Sequence, residues 1–215
     1  MAKTKSNKKK KVLLFLLIVF IVLLVVGVCI YFYLNKDKKE VVETKEAVIL
    51  NSIGEYGITL SDLDSELYKS EYEILKKNLE SDKINMEEYA KSIAKLFVID
   101  LYTLNTKINK YDIGGAEEVY PNIVDNYKLN VSDTLYKYME DNSTGKRRQT
   151  LPTVKTIKVD SIKPNKYKID VENQTYEGYV VNLSWTYDNP KLGYDDEGEI
   201  YIINVDNKLY VVEKK

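Results

Sequence analysis

Apolar residues between 47 and 215 recur first at a helical period and then at a strand period. Alternation over 47–60 predicts a short hairpin. Spacings of three and four residues then predict one helix over 61–80 and another over 85–105. Asn85, followed three residues later by a glutamate, has the spacing of a capping box and marks the start of the second helix. The first part of this region is therefore predicted to be mainly helical.

Strand-like alternation dominates the last third of the chain. It is clearest from Tyr179 to Tyr187, where apolar and polar residues take turns and predict one buried and one solvated face. The dipeptides Pro164-Asn165 and Asp206-Asn207 are typical of tight turns between strands. The five predicted strands are 154–162, 167–171, 176–187, 199–205 and 208–212.

Two shorter helices are predicted between these parts, one opening at Pro121 and one capped by Ser132 or Asp133. A helical part (47–152) followed by an antiparallel meander (153–215) indicates the α+β class. We expect two to four helices packed on one face of a curved antiparallel sheet of about five strands.

An uninterrupted apolar run, Val12–Leu34, contains no charged residue. At about 1.5 Å per residue its 23 residues would extend roughly 34 Å as a helix, which exceeds a hydrocarbon core of about 30 Å. The run therefore predicts an N-terminal transmembrane helix. Lysines at one end and aromatic residues at the other have the character of membrane-interface anchors. The expected anchors are Lys8, Lys9, Lys10, Lys11, Tyr31, Phe32 and Tyr33.

Charge is distributed unevenly, although the chain sums to −1. Residues 1–11 carry six lysines and no acidic residue, which leaves −7 for the rest of the chain. The positive-inside rule then predicts a basic cytoplasmic stub (1–11), a juxtamembrane stalk (35–46) and an extracytoplasmic domain (47–215). We expect a single-pass protein of the cell membrane, in contact with the lipid bilayer, with its N-terminus in the cytoplasm.

Two processing signals are alternatives for the same apolar run. A cleaved signal peptide also begins with lysines, but its apolar core is only roughly 7–15 residues long and ends at small residues. The segment Val26-Gly27-Val28-Cys29 resembles a lipoprotein signal, although Val28 stands where that motif has Gly, Ala or Ser. The length of the run favours a membrane span over both alternatives.

The chain has no histidine and only one cysteine. The first absence excludes Ser-His-Asp and Cys-His catalytic relays and histidine metal sites. The second excludes an intramolecular disulfide and a thiolate zinc cluster. We expect no cofactor, no catalytic activity and no nucleic-acid partner.

A membrane anchor, a short hairpin, two or three helices and a long meander with Trp185 at a strand centre resemble the nuclear transport factor 2-like superfamily. Within it, the order of elements over 47–215 is similar to that of the extracytoplasmic domains of type IV secretion and conjugation assembly subunits. The resemblance implies a small cone-like domain with a scaffold or assembly role. It transfers no individual residue.

Asp100 is the most informative candidate site residue, because it lies on the apolar face of the predicted second helix. A carboxylate in that position needs a partner, since burying it unpaired is costly. The only two arginines of the chain, Arg147 and Arg148, are candidate partners. The three residues are therefore expected to form a buried ion pair, or else to be polar residues of a pocket.

An acidic loop is predicted between two strands, formed by Asp195, Asp196, Glu197 and Glu199, with Asp188 nearby. Carboxylate oxygens are the ligands that Ca²⁺ prefers, but the alternating spacing of an EF-hand is missing. A solvated hairpin tip is therefore favoured over a calcium site.

Residues 112–116 contain the pair Gly114-Gly115. The segment is too short for a phosphate-binding loop and does not follow a strand as such loops do. A turn that requires a positive φ is expected instead.

The leading hypothesis is a membrane-anchored, extracytoplasmic module of the bacterial cell envelope that binds another envelope protein or self-associates. An alternative is a domain that binds a small ligand or cell-wall fragment between helices and sheet, with Asp100 and a tyrosine hydroxyl as polar anchors. A carboxylate-dependent enzyme is the least favoured. An exposed apolar patch or open sheet edge would support the first hypothesis, and an apolar pocket of a few hundred Å³ the second.

Overall fold

The computed structural model describes residues 16–17, 19–28, 30 and 47–215. The chain divides into two units, one ending at Glu43 and one beginning at Thr44. The predicted basic stub, the predicted stalk, Cys29 and the seven predicted membrane-interface anchors lie outside the described residues.

Among the described residues of the first unit, helical backbone is present, but no helix is long and apolar enough to cross a membrane. This finding contradicts the predicted transmembrane helix over 12–34, the single-pass topology with a cytoplasmic N-terminus, and the placement in the cell membrane.

The second unit is α+β and contains a two-stranded and a four-stranded antiparallel sheet. Its α-helices are α1 (Glu66–Leu79), α2 (Met86–Tyr102) and α3 (Val124–Asp133). Its strands are β1 (Ile49–Ile53), β2 (Ile58–Ser61), β3 (Val154–Ile169), β4 (Gln174–Tyr187), β5 (Glu197–Val205) and β6 (Lys208–Lys214). Short 3₁₀ turns lie at Leu104–Thr106, Pro121–Ile123 and Pro190–Leu192. The α+β class is confirmed, but the predicted sheet of about five strands has four, and the hairpin β1–β2 is a separate sheet.

The N-termini of α1 and α2 are set by polar caps. The Ser65 hydroxyl accepts a hydrogen bond from the Tyr68 amide (3.2 Å), and the Asn85 side chain accepts from the amides of Glu87 and Glu88 (3.1 and 3.2 Å). These bonds satisfy amides that have no partner within the helix. The predicted start of the second helix at Asn85 is confirmed.

The third helix begins and ends differently from the prediction. Pro121 opens a 3₁₀ turn that runs into α3, whereas Ser132 ends α3 instead of capping a new helix. The Ser132 hydroxyl donates to the Leu129 carbonyl (2.8 Å) and the Thr134 hydroxyl donates to the Asn130 carbonyl (2.7 Å). Both side chains thus bond back to the helix that precedes them, and turns follow where a helix was predicted.

The four-stranded sheet is a simple meander in the order β3–β4–β5–β6. The predicted turn at Pro164-Asn165 is wrong, because β3 continues through both residues and pairs with β4 as far as Ile169. Proline has no amide N–H to donate to a neighbouring strand. On the outer side of an edge strand there is no neighbour to receive that hydrogen bond, so proline is tolerated there. The chain turns later, at 170–173, where Asn173 takes a positive φ of 49°.

The core lies between α2 and the inner face of this sheet. Eleven of the 17 residues of α2 are buried. On the sheet side, Trp185 packs against Tyr102 of α2 with ring centroids 5.2 Å apart, and its indole N–H donates to the Tyr187 hydroxyl (2.7 Å). Burial of so many side chains makes α2 the element against which the others are placed.

The loop after α2 packs directly on the last turn of that helix. A Cβ atom added to Gly114 would lie 2.1 Å from the carbonyl oxygen of Asp100, far inside contact distance. Gly115 has a φ of +73°, which confirms the predicted turn with positive φ. Both glycines are therefore required for the loop to approach the helix.

We expect Gly114→Ala to destabilise the protein by about 2–3 kcal/mol, because the added methyl group must displace backbone atoms. Urea unfolding of the full chain followed by circular dichroism measures the change. Gly54→Ala is the matched control, since a Cβ at Gly54 meets nothing within 4 Å. Equal stabilities of the two variants would contradict the close approach.

Candidate functional site

Asp100 lies in the last turn of α2 and is paired with Lys107. The Lys107 ammonium donates to Oδ1 of Asp100, while the Gly115 amide donates to Oδ2 (2.7 Å). The side chains of Asp100 and Lys107 are only 23% and 11% exposed. Burial acts to lower the pKa of Lys107, but the charge and hydrogen bond of Asp100 outweigh burial and raise it. The structure therefore contains a largely buried ion pair with the lysine charged.

The two arginines do not contact Asp100 in the way the sequence suggests. Arg147 donates to the main-chain carbonyls of Lys107 (2.8 Å) and Asn105 (2.7 Å), and so holds the turn that carries the lysine. Arg148 is exposed. The partner of Asp100 is thus a lysine, and Arg147 positions that lysine through its backbone.

Glu118 is a second interior carboxyl group and is 1% exposed. The Tyr68 hydroxyl donates to its Oε1 (3.2 Å), whereas Oε2 has no hydrogen-bond partner among the described residues. Burial, reinforced by the negative charges of Asp100 and Glu117, raises the pKa of Glu118 from 4.5 to about 8. Burial therefore favours the protonated, neutral form of Glu118.

Residues 117–120 contact three elements in succession, namely β2, α1 and β6. The carboxylate of Glu117 accepts from the Thr59 amide (2.7 Å) and hydroxyl (2.6 Å), along the inner edge of β2. Val119 forms a parallel bridge with Val211 of β6. The Tyr120 amide donates to the Val211 carbonyl (2.9 Å), and the Val211 amide donates to the Glu118 carbonyl (2.8 Å). The segment therefore covers one edge of each sheet.

A cavity of about 550 Å³ lies between α2, α3 and β6. Phe97 and Leu101 of α2, Val131 of α3 and Val211 of β6 contribute apolar walls. Asp100, a polar anchor expected in the ligand-binding alternative, does not line this cavity. The volume falls within the range of roughly 300–1,000 Å³ that is typical of small-molecule sites.

The exposed edge of the hairpin is the second candidate surface. Val48, Ile49 and Leu50 are 59%, 63% and 58% exposed. Among the described strands, β1 pairs only with β2. Three adjacent apolar residues thus lie at an open sheet edge, the feature expected of a protein-interaction module.

The acidic loop is held by one of its own members. Asp195 accepts from the Tyr102 hydroxyl (3.0 Å) and from the Lys214 ammonium (2.8 Å), and the hydrogen bond from Lys214 is the main reason that its pKa is lowered. Within the described part of the chain, no group of three or more acidic, cysteine or histidine residues could hold a metal ion. Asp195 therefore ties the loop to α2 and β6.

Comparison of the chain with protein-family models, with curated proteins and with solved structures found no match. The resemblance to the nuclear transport factor 2-like superfamily therefore stays a prediction.

Sequence reasoning missed Lys107, Glu118 and the open edge of β1. Lys107 comes seven residues after Asp100, a helical spacing, but the helix has already ended and a 3₁₀ turn brings the lysine back. Glu118 follows Glu117, and two adjacent glutamates are typical of a solvated loop. The alternation over 47–60 predicts a hairpin but does not indicate which of its edges is open, and only the strand pairing shows that it is the edge of β1.

We expect Lys107→Met to destabilise the protein by about 3 kcal/mol, because it leaves the Asp100 carboxylate in the interior without its counter-ion. Thermal unfolding of the full chain measures the loss. Lys128→Met, at an exposed position of α3, should change stability by less than about 0.5 kcal/mol. A similar small change in both variants would show that the pair is solvated.

Glu118 makes stability depend on pH. Its folded pKa, about 8, lies above the unfolded value near 4.5, so between these pH values the folded state retains a proton that the unfolded state has released. The stability contributed by this group is therefore complete below about pH 4.5 and falls until about pH 8. Glu118→Gln mimics the neutral acid and should remove this decline, which amounts to a few kcal/mol.

The measurement for Glu118 is the free energy of unfolding from pH 5 to pH 9. Relative to the unsubstituted protein, Glu118→Gln should gain stability steadily as the pH rises. Glu73→Gln, at an exposed position of α1, should leave the pH profile unchanged. Parallel profiles for the Glu118 variant and the unsubstituted protein would mean that Glu118 is ionised when buried.

Proposed function

We propose that the described unit 47–215 is a non-catalytic protein-interaction module that pairs the free edge of β1 with an extended segment of another polypeptide. The observation that carries the proposal is the contrast between this edge and the other sheet edges of the unit. The contact would be a strand addition, in which main-chain hydrogen bonds supply affinity and side chains supply specificity.

The long edge strand β3 has several features that block pairing. It presents an exposed proline at position 164 and a series of exposed lysines along its length. Charged side chains, lysine above all, and proline prevent unwanted strand pairing at sheet edges. The lysines of β3 are Lys155, Lys158, Lys163, Lys166 and Lys168.

Two further edges are covered by the chain itself. The edge of β6 is bonded to residues 118–120, and the inner edge of β2 is capped by the Glu117 carboxylate at Thr59. In each case main-chain groups that would attract another strand are already engaged.

Within the described residues, no other segment of the chain covers the outer edge of β1, where the Ser52 amide donates only to the side chain of the adjacent Asn51 (2.8 Å). Residues 47–54 contain no charged residue and no proline. The register with β2 shifts between Ile49 and Asn51, and this irregularity interrupts the alternation that would turn Ile49 or Leu50 inward. This uncharged apolar edge contrasts with the protected edges of the unit, and the contrast supports the binding of a partner strand along β1.

Two carboxylates, Asp100 and Asp195, form structural contacts that support a non-catalytic role. Asp100 is neutralised by Lys107, and Asp195 is held by Tyr102 and Lys214. Each of these carboxylates forms bonds that join elements of the fold. Their hydrogen-bonding capacity is thus used in stabilising the structure.

The proposal is tested by photo-crosslinking of the full chain in its native cells. Benzoylphenylalanine at position 50 should give an adduct with another polypeptide, because that side chain lies at the proposed contact. The same substitution at position 129 is the matched control, since Leu129 is exposed to a similar extent (63%) on α3. Adding Ile49→Lys should reduce the position-50 adduct several-fold, because a charge at the edge opposes strand addition.

Recovery of only the uncrosslinked chain at position 50 would contradict the proposal. So would equal adducts at positions 50 and 129, which would indicate non-specific apolar contact. An adduct between two copies of the chain would identify the partner segment as its own.

A further inference from the structure

The cavity between α2, α3 and β6 is separate from the edge of β1 and has the composition of a small-molecule site. Its walls are apolar, with the Phe97 ring on the α2 side and Val131 and Leu135 at the end of α3. Val211 and Val212 form the sheet side. Sites of this kind bury the body of a small ligand against apolar walls and orient it by a few polar groups.

The two charged side chains that line this cavity already have partners of opposite charge. Lys214 is paired with Asp195 (2.8 Å), and Glu213 is paired with Lys215 (3.3 Å). An ionic ligand would lose hydration without finding an unpaired counter-charge there. The cavity therefore disfavours both anions and cations.

Two amides on α3 supply the available hydrogen-bonding capacity. Asn126 and Asn130 lie one helical turn apart and both line the cavity. The Asn126 side chain makes no hydrogen bond with any described residue, and the Asn130 amide oxygen has only a long contact with the Thr134 hydroxyl (3.5 Å). An amide can both donate to and accept from a hydroxyl or amide of a ligand.

We propose that this cavity binds an uncharged amphiphile, with an aliphatic or aromatic body against the apolar walls and one hydroxyl or amide group at Asn126. The proposal is independent of strand pairing at β1, because the two surfaces share no residue. Failure of one therefore leaves the other intact.

The probe is N-phenyl-1-naphthylamine, a neutral dye whose fluorescence rises in apolar surroundings, added to the full chain. A series of 1-alkanols from pentanol to decanol then displaces it. Affinity should increase about fourfold for each added methylene, the value expected for burial of one CH₂ group, until the cavity is filled. At equal chain length, octanol should displace the dye at least tenfold more effectively than octanoate or octylamine.

Two variants locate the binding. Leu135→Trp fills the cavity from within and should weaken dye binding at least tenfold. Asn126→Trp, at an exposed position, covers the rim without disturbing the core and should have a similar effect. Leu129→Trp is the matched control on an exposed position of the same helix and should leave affinity unchanged. Dye that binds to other apolar surfaces of the chain should bind equally to all variants, so it does not affect the comparison of their dye affinities.

Equal dye affinity in the Leu129, Leu135 and Asn126 variants would overturn the proposal, provided that their circular dichroism spectra agree. Tighter binding of octanoate or octylamine than of octanol would overturn the uncharged class of ligand. If Leu135→Trp and Asn126→Trp change the mass measured by light scattering but not dye binding, the cavity receives a side chain of a second copy and the proposal fails.

Discussion

The close approach of Gly114 to the carbonyl of Asp100 is the contact on which the rest of the unit depends. It brings the loop after α2 back onto the last turn of that helix, and so fixes where residues 117–120 must run. Glu117 then reaches β2, Glu118 reaches α1 through Tyr68, and the next two residues join β6. Four consecutive residues thus connect the hairpin, a helix and the main sheet, which explains why a glycine is needed at the point of contact.

The charges of the interior follow from this arrangement. The negative charge of Asp100 acts to raise the pKa of both Asp64 and Glu118, and Lys107 is paired directly with Asp100. Burial is the main reason that the pKa of Asp64 is raised. The Ser61 amide, which donates to Asp64 (2.6 Å), acts to lower this pKa but does not outweigh burial. With the lysine engaged by Asp100, a second buried carboxyl group is more stable as a neutral acid that accepts from a tyrosine. Glu118 is such a group, because the Tyr68 hydroxyl donates to it and no lysine among the described residues is paired with it. The ion pair of Asp100 and the neutral form of Glu118 therefore have the same cause, a single lysine near several buried carboxyl groups.

Elements that depend on local chemistry could be predicted from the sequence, and those that depend on neighbours could not. Asn85 caps α2 as expected, because capping involves only the amides of the next few residues. Local preference predicts a turn at Pro164, yet this proline lies in β3, where the edge of the sheet tolerates it. Serine is a common N-terminal cap, but the Ser132 hydroxyl donates to the carbonyl of Leu129, in the helix that precedes it. Ser132 therefore lies at the end of α3 and does not begin a new helix. For the candidate site, the burial of Asp100 followed from periodicity, whereas its partner depended on a turn that no periodicity reveals.

The contacts that Glu117 and Tyr68 make with β2 also affect the open edge of β1. By accepting from both the amide and the hydroxyl of Thr59, Glu117 engages the inner edge of β2 and holds the hairpin against the body of the unit. The Tyr68 hydroxyl also lies 3.5 Å from the Thr59 carbonyl, on the same side of the strand. A hairpin held on one side presents its other edge in a defined conformation, and a preformed edge reduces the entropy lost when a partner strand binds. In the proposed strand addition, Glu117 would then contribute to recognition by holding the hairpin, without touching the partner.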